Sequence, residues 1–389
     1  MFEDLIRFIR LWYGTDEDIP LHAPCFGDLD RKYLLDAINS TFVSSVGKYV
    51  DRFEQDLAAY VGAKRAVAVV NGTAALQVAL QLAGVKPGEE VLTQPLTFVA
   101  TANAICHNNA HPVFIDVDRQ TMGLSPDALR LFLEKFGEKR CDAFYNRASN
   151  RRFAAIVPMH TFGHACRMKE LMEVADSWQI PVVEDAAEAL GSYYKDRHCG
   201  TFGKLGIFSF NGNKTITCGG GGAIVTDDEG LADRVKHLTT TAKVHHPWEY
   251  VHDEIGYNFR MPNLNAALAC AQLENLESFL KDKRELAQAY ESFFAESSWG
   301  EFFKEPQDCQ SNYWLNTVLT ENCDEREALL ESTNQAGVMT RPVWRLMPNL
   351  DMYRECQTDS LEVAEWLQER VVNLPSSVRS LKLEVQSPE

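Results

Sequence analysis

Several things are scarce in this sequence, and each scarcity narrows the reading. Basic residues are not in excess: 38 Lys and Arg stand against 55 Asp and Glu, a formal net charge of −17. Such a chain has no overall basic footprint for nucleic acid or an anionic membrane surface, so neither is expected as a partner. Local helix ends can still hold a small anion against that background. No apolar run approaches the ~18 residues that a membrane span needs. The ten cysteines include no Cys-x-x-Cys pair and no tight Cys/His cluster. They read as reduced, mostly buried thiols. His160 and His164, in HTFGH, lack the Glu of a zinc helix and have Gly163 between them, so no metal is expected. Internal repeats and low-complexity stretches are missing too. The first residues, MFEDLIRFIRLWYG, carry two early acids and no small-residue cleavage site, unlike a secretory signal. Phe2, Leu5, Ile6, Ile9 and Trp12 instead recur at helical spacing, as in an arm docked on the body or on a partner subunit. A cytoplasmic location is expected.

What is present suffices for a large core. The chain has 389 residues, 45% hydrophobic and 24% charged, enough for two or more domains. From about residue 52 to 230, short apolar runs alternate with helical patterns. Strands are expected at 65–70, 90–93, 112–116, 154–159 and 181–184. Helices are expected at 51–61, 74–83, 97–108 and 169–178. This alternation predicts an α/β fold with a mostly parallel sheet and helices on both faces. The polar stretch 134–152 reads as a surface insertion. One long helix, 265–290, then opens a change of texture, with strand 314–320 and helices 326–336 and 360–369. The expected organisation is an N-terminal arm (1–19), a large α/β domain (20–260) and a small α+β domain (261–389).

Four segments carry chemistry, and all fall where strands end, the ligand-binding edge of such sheets. In VVNGTAALQVAL (69–80), a strand gives way at Gly72 and Thr73 to a helix starting at Ala74. The unpaired N–H groups there would cradle a phosphate; alternatively Thr73 is a plain helix cap. In IPVVEDAAEALGS (180–192), a strand delivers Asp185. A buried carboxylate there would pair with a protonated pyridine nitrogen, or else cap the next helix. In FSFNGNKTITCGGGGAIVTDD (208–228), Lys214 sits in a polar turn before four glycines. It would form a Schiff base, or be a solvated hairpin lysine. In GYNFRMPNLNAAL (256–268), Asn258 and Arg260 interrupt an aromatic stretch at the expected domain boundary. Cradle, strand-end Asp and lysine in this order form the layout expected for pyridoxal phosphate.

These segments, with VSSVGKYVDRFE (43–54) and PLTFVATANAI (95–105), resemble the DegT-type nucleotide-sugar aminotransferases of the aspartate aminotransferase (fold type I) superfamily, over residues 19–353. The resemblance implies a fold type I transferase using pyridoxal 5'-phosphate. Lys214 would bond the cofactor aldehyde and shuttle the proton. Asp185 would pair with the ring nitrogen, Glu188 would lie near the 3-hydroxyl, and Phe98 would stack on the ring. Gly72, Thr73, Ala74 and Ser209 would hold the phosphate. Asn258 would reach the neighbouring subunit's cofactor, which implies an obligate homodimer with shared sites. Ser45, Lys243 and Trp344, in loops that would shape the substrate, and His160, at a strand end, are candidate substrate residues. Some relatives have His in place of the lysine and dehydrate their sugar; Lys214 favours transamination. A dehydratase or a non-catalytic cofactor-binding sensor are the other classes.

One departure bears on substrate. The family usually has Glu within the glycine run where this chain has Gly220. That form resembles the subgroup making 4-amino-4,6-dideoxy-N-acetylhexosamines for surface polysaccharides. The expected reaction moves the amino group of L-glutamate to C4 of a 4-keto-6-deoxy nucleotide sugar, first choice UDP-2-acetamido-2,6-dideoxy-4-ketohexose. The alternative is GDP-4-keto-6-deoxymannose, the perosamine synthase reaction.

Overall fold

Runs too apolar for a half-exposed strand form the centre of the computed structural model, which describes residues 2–141 and 143–379. In chain order these strands are β1 (Arg65–Val69), β2 (Glu90–Thr93), β3 (His111–Phe114), β4 (Phe153–Val157), β5 (Val183–Asp185), β6 (Leu205–Ser209) and β7 (Gly222–Thr226). One ladder runs β1-β7-β6-β5 and a second β3-β2-β4. Parallel bridges Ile156–Val182 and Met159–Asp185 join them into one sheet. Pairing is parallel throughout except at β7, which runs against both neighbours. Burial on both faces is what a parallel sheet requires, and these strands supply it.

The twelve residues 210–221 form turns and no helix, so β7 returns beside β6 as its antiparallel partner. A side chain on Gly222 would meet the Asn71 main chain at 2.5 Å, so only glycine lets β7 pass the next helix start.

The helices are α1 (Glu3–Tyr13), α2 (Asp28–Asn39), α3 (Lys48–Val61), α4 (Gly72–Ala83), α5 (Val99–His107), α6 (Pro126–Phe136), α7 (Met168–Ser177), α8 (Glu229–Thr239), α9 (Asn263–Glu274) and α10 (Leu276–Glu296). On one sheet face Leu76, Leu80 and Ile105 of α4 and α5 pack on Val67, Val91 and Ile207. On the other, Phe53, Leu129, Leu171 and Ala267 cover Leu92, Ile156 and Phe208. None of the helices among the described residues is long and apolar enough to cross a membrane.

Two expected elements differ. The single helix over 265–290 is broken at Asn275, whose side-chain amide donates to the Ala271 carbonyl at 3.0 Å while its N–H reaches back only to Gln272. That local competition ends α9 and starts α10. The stretch 134–152 contains a hairpin of Gly137–Arg140 with Ala143–Asn146, pinned by Phe144 against the Trp178 ring.

Beyond α10 a smaller sheet forms from β8 (Glu301–Phe302), β9 (Asn316–Leu319), β10 (Arg341–Pro342) and β11 (Val371–Leu374), ordered β8-β9-β11-β10. The N-terminal arm belongs to its core. Phe2, Leu5 and Ile9 of α1 pack with Tyr290, Phe294, Phe302 and Leu329. Ile19 then exchanges backbone bonds with Gly337 and Met339, at 2.8 and 2.9 Å. The arm therefore docks on its own body. Ile9 is fully buried, so Ile9→Ala should cost about 2–4 kcal/mol in urea denaturation. A loss below ~0.5 kcal/mol would mean the arm is not part of the core.

Candidate active site

The site begins where β1 stops. Asn71 is the helix cap of α4: its Oδ1 accepts the Ala74 N–H at 2.8 Å, and its carbonyl accepts that of Ala75. The cap is Asn71, not Thr73. Among the described residues the N–H groups of Gly72 and Thr73 have no partner, and both residues face a cavity of about 340 Å³. Unpaired donors at a helix start favour an anion. Ser209, at the end of β6, closes the cradle. A Cβ on Gly72 would come within 2.9 Å of the Ser209 Cβ, so glycine is needed for this approach.

Strand alternation sends Asp185 into the cavity and Glu184 behind the sheet. Asp185 Oδ2 accepts the Thr101 hydroxyl at 2.7 Å, and Oδ1 accepts the Ala187 N–H at 3.2 Å. Thr101 is in turn bonded to Thr97 at 2.7 Å. Burial pushes the Asp185 carboxyl up, against these two donors and the Lys214 charge. A buried carboxylate with only neutral hydrogen-bond donors is incompletely compensated. A cation in the cavity would complete it.

Lys214 follows a tight turn, its N–H donating to the Asn211 carbonyl at 3.0 Å. Its Nζ lies 3.2 Å from Glu188 Oε1 and 4.0 Å from the centre of the Trp314 ring. Glu188 Oε2 accepts the Phe162 N–H at 3.0 Å. Burial pushes the Glu188 carboxyl up to about 7, opposed mainly by Lys214. Phe98 stands at the cavity mouth, half exposed, edge-on to Trp344 at 6.3 Å.

Gly72, Thr73, Phe98, Asp185, Glu188, Ser209, Lys214 and Trp344 thus share one cavity. Five other candidates do not join them. Ala74 is adjacent, but its N–H is spent on Asn71. His160 is fully buried behind the sheet: Nδ1 accepts the Cys166 N–H, so Nε2 carries the hydrogen and faces Glu184 at 3.1 Å. It is a packing histidine, not a substrate residue of this cavity. Ser45 lies on the loop before α3. Lys243 is exposed on the hairpin of Lys243–Val244 with Val251–His252, over the Tyr250 ring. Asn258 is exposed, in an isolated bridge to Thr240. Three lining residues that sequence reasoning passed over are Asn71, Thr101 and Trp314. The four-residue spacing of Thr97 and Thr101, one just before α5 and one in its first turn, is a usable signal, since it brings the two hydroxyls together. Trp314 had none. Among the described residues, one group with metal-ligand geometry forms, His237, Asp253 and Glu254. It is remote from the cavity, and Arg234 takes both Glu254 oxygens.

These residues fit pyridoxal phosphate. The free N–H pair and Ser209 suit its phosphate, Asp185 its ring nitrogen, Lys214 its aldehyde, and Phe98 a face of its ring. The comparisons with known proteins agree. The model of the DegT/DnrJ/EryC1/StrS aminotransferase family matches residues 24–387. GDP-perosamine synthase of Escherichia coli O157:H7 is 37% identical over 358 residues, covering 92% of this chain and 93% of that one. The structure of the aminotransferase TlmJ from Streptoalloteichus hindustanus superposes with a TM-score of 0.83 at 26% identity, over 92% and 93% of the two chains. The PLP form of Spr1654 from Streptococcus pneumoniae shares the fold, with a TM-score of 0.82 at 24% identity, over 92% and 93%.

The raised Glu188 carboxyl makes a signed prediction. Between the ordinary value of 4.5 and about 7 the group is protonated in the native state and ionised in the unfolded chain. Its contribution is complete below 4.5 and is lost as pH rises through 7. Glu188→Gln should therefore remove on the order of 1 kcal/mol of the stability change between pH 5 and pH 7.5, read by urea denaturation of the cofactor-free chain. Identical pH dependence in variant and parent would contradict the assignment.

Proposed function

The chain belongs to the DegT/DnrJ/EryC1/StrS aminotransferase family, and from that premise we propose that it moves the amino group of L-glutamate to C4 of GDP-4-keto-6-deoxymannose. It is a pyridoxal phosphate-dependent sugar aminotransferase. One observation carries the chemistry: Lys214, Asp185 and the free Gly72–Thr73 N–H pair line the same cavity. The choice of sugar is supported by the relatives bearing the name GDP-perosamine synthase, in E. coli and, at 33% identity, in Vibrio cholerae. The UDP-linked N-acetyl sugar expected from the glycine run finds no such support. Gly220 also has no packing reason: a Cβ there would meet only the Val70 carbonyl, at 3.9 Å.

When bound, the cofactor supplies the electron sink for the carbanion. The chain does the rest. Lys214 Nζ takes and returns the proton at the reacting carbon, with Glu188 as its hydrogen-bond partner and the Trp314 ring screening it from water. Asp185, aimed by Thr101 and Ala187, holds negative charge opposite the ring nitrogen. The lysine, rather than a histidine, at 214 favours transamination over dehydration.

The purified protein with glutamate and GDP-4-keto-6-deoxymannose should give a GDP-linked amino sugar by mass spectrometry. Lys214→Ala should lose more than about 10³-fold, because one amine serves as both nucleophile and base. Turnover of UDP-linked keto sugars alone would overturn the GDP assignment, and an active Lys214→Ala would overturn the mechanism.

An obligate homodimer with shared sites is part of this reading. It is supported by the exposed position of Asn258, outside its own cavity, and by exposed apolar groups such as Phe42, Trp248 and Ile255, the last 90% exposed. Apolar surface of this kind marks association. Sedimentation should give a dimer; a monomer at micromolar concentration would refute it.

A further inference from the structure

Lys283 is a lysine without an obvious reason to be where it is. It lies in α10, fully buried. Its Nζ donates to two carbonyls, Trp314 at 3.1 Å and Ser376 at 2.7 Å. Burial pushes its ammonium down to about 7, with the Asp282 carboxylate opposing. An apolar side chain would fill such a position at lower cost. What the ammonium provides is a clamp between two backbone segments far apart in the chain.

Both segments matter. Trp314 is the cavity residue whose ring faces Lys214 Nζ at 4.0 Å, and its indole N–H donates to the Asn213 carbonyl at 2.6 Å. Ser376 is a junction: its N–H donates to the Leu21 carbonyl at 2.7 Å, and its Oγ accepts the Asn316 N–H at 2.8 Å. The segment just after the N-terminal arm, the end of β11 and the start of β9 therefore meet at the residue that Lys283 ties to Trp314. Two held points, one at the backbone and one at the indole nitrogen, leave the ring little freedom to turn.

We propose that Lys283 is a positioning residue: by clamping the Trp314 carbonyl to that of Ser376, it sets the indole face over Lys214 Nζ and governs how exposed that amine is to an incoming carbonyl group. The ring face covers Lys214 Nζ at 4.0 Å, and release of the ring uncovers the amine. The inference rests on Lys214 being the reacting amine but not on which sugar is used.

The test is a double-mutant cycle on the full chain freed of cofactor. Lys214 is acylated with acetic anhydride, and its rate is read on the peptide by mass spectrometry. Lys283→Met should raise that rate about threefold to tenfold, the range a cation–π contact implies. Trp314→Leu should raise it similarly. Added to Trp314→Leu, Lys283→Met should have no further effect, since the clamp acts through the ring. A merely structural Lys283 would lower the melting temperature in both backgrounds and leave the acylation rate alone. An unchanged rate in Lys283→Met, or an equal rise in both backgrounds, overturns the proposal. If Lys283→Met does not fold, Lys283→Gln, whose amide has two N–H donors on a stem one atom shorter, is read in the same way. Trp314→Leu without a rise also overturns it. Because no substrate is present, failure of the sugar assignment leaves this outcome untouched.

Discussion

The Asp185 carboxylate is buried at the end of a central strand and, among the described residues, held by one hydroxyl and one backbone N–H. Neither donor brings a positive charge, so the site is electrostatically unfinished. Much of the surrounding structure serves to keep that carboxylate in place. The Thr97–Thr101 pair aims it. The parallel partner β6 fixes its height, and the Met159 bridge joins its strand to the other half of the sheet. Lys214 sits near enough to lower its proton affinity without pairing with it directly. On the proposed reading a cationic ring nitrogen would complete the arrangement, letting a chain of net charge −17 hold an anionic cofactor. Attraction is local, through one carboxylate, two free N–H groups and one ammonium.

The second constraint is steric. Gly72 and Gly222 stand back to back around the start of α4, one against Ser209 and the other against Asn71. A methyl group at either would force the helix start away from β6 or β7. The phosphate cradle and the lysine turn therefore share one close contact between backbones. The separation between them is set by packing rather than by side-chain reach.

Much of this was legible in the sequence because it depends on local pattern. The apolar runs and their spacing gave the parallel strands, and the strand ends gave Asp185, Lys214 and the Gly72–Thr73 turn. Other features escaped for definable reasons. Residues 210–221 carry the glycines that close the β6–β7 return, but strand direction is a property of pairing, which no local run encodes. The break at Asn275 comes from one amide bonding back along its own helix. The resemblance implies Ala74 as a phosphate donor, but its N–H is taken by the Asn71 cap. His160 reads as a substrate residue from its place at a strand end, whereas its ring faces Glu184. Trp314 arrives from a part of the chain with no motif, and only the tertiary fold brings it to Lys214. The proposed sugar is supported by the relatives and not by the glycine run.

The turn that carries Lys214 is bounded on both sides by strands of the central sheet, β6 before it and β7 after it. A lysine on a free surface loop could be loosened by local fraying. This one is anchored at both ends to ladders that open only when the sheet opens. The Lys214 amine thus belongs to the most cooperative unit of the molecule. Its placement cannot wear out ahead of the fold. A population of these molecules should age as a mixture of wholly competent and wholly inactive chains, with few of intermediate competence.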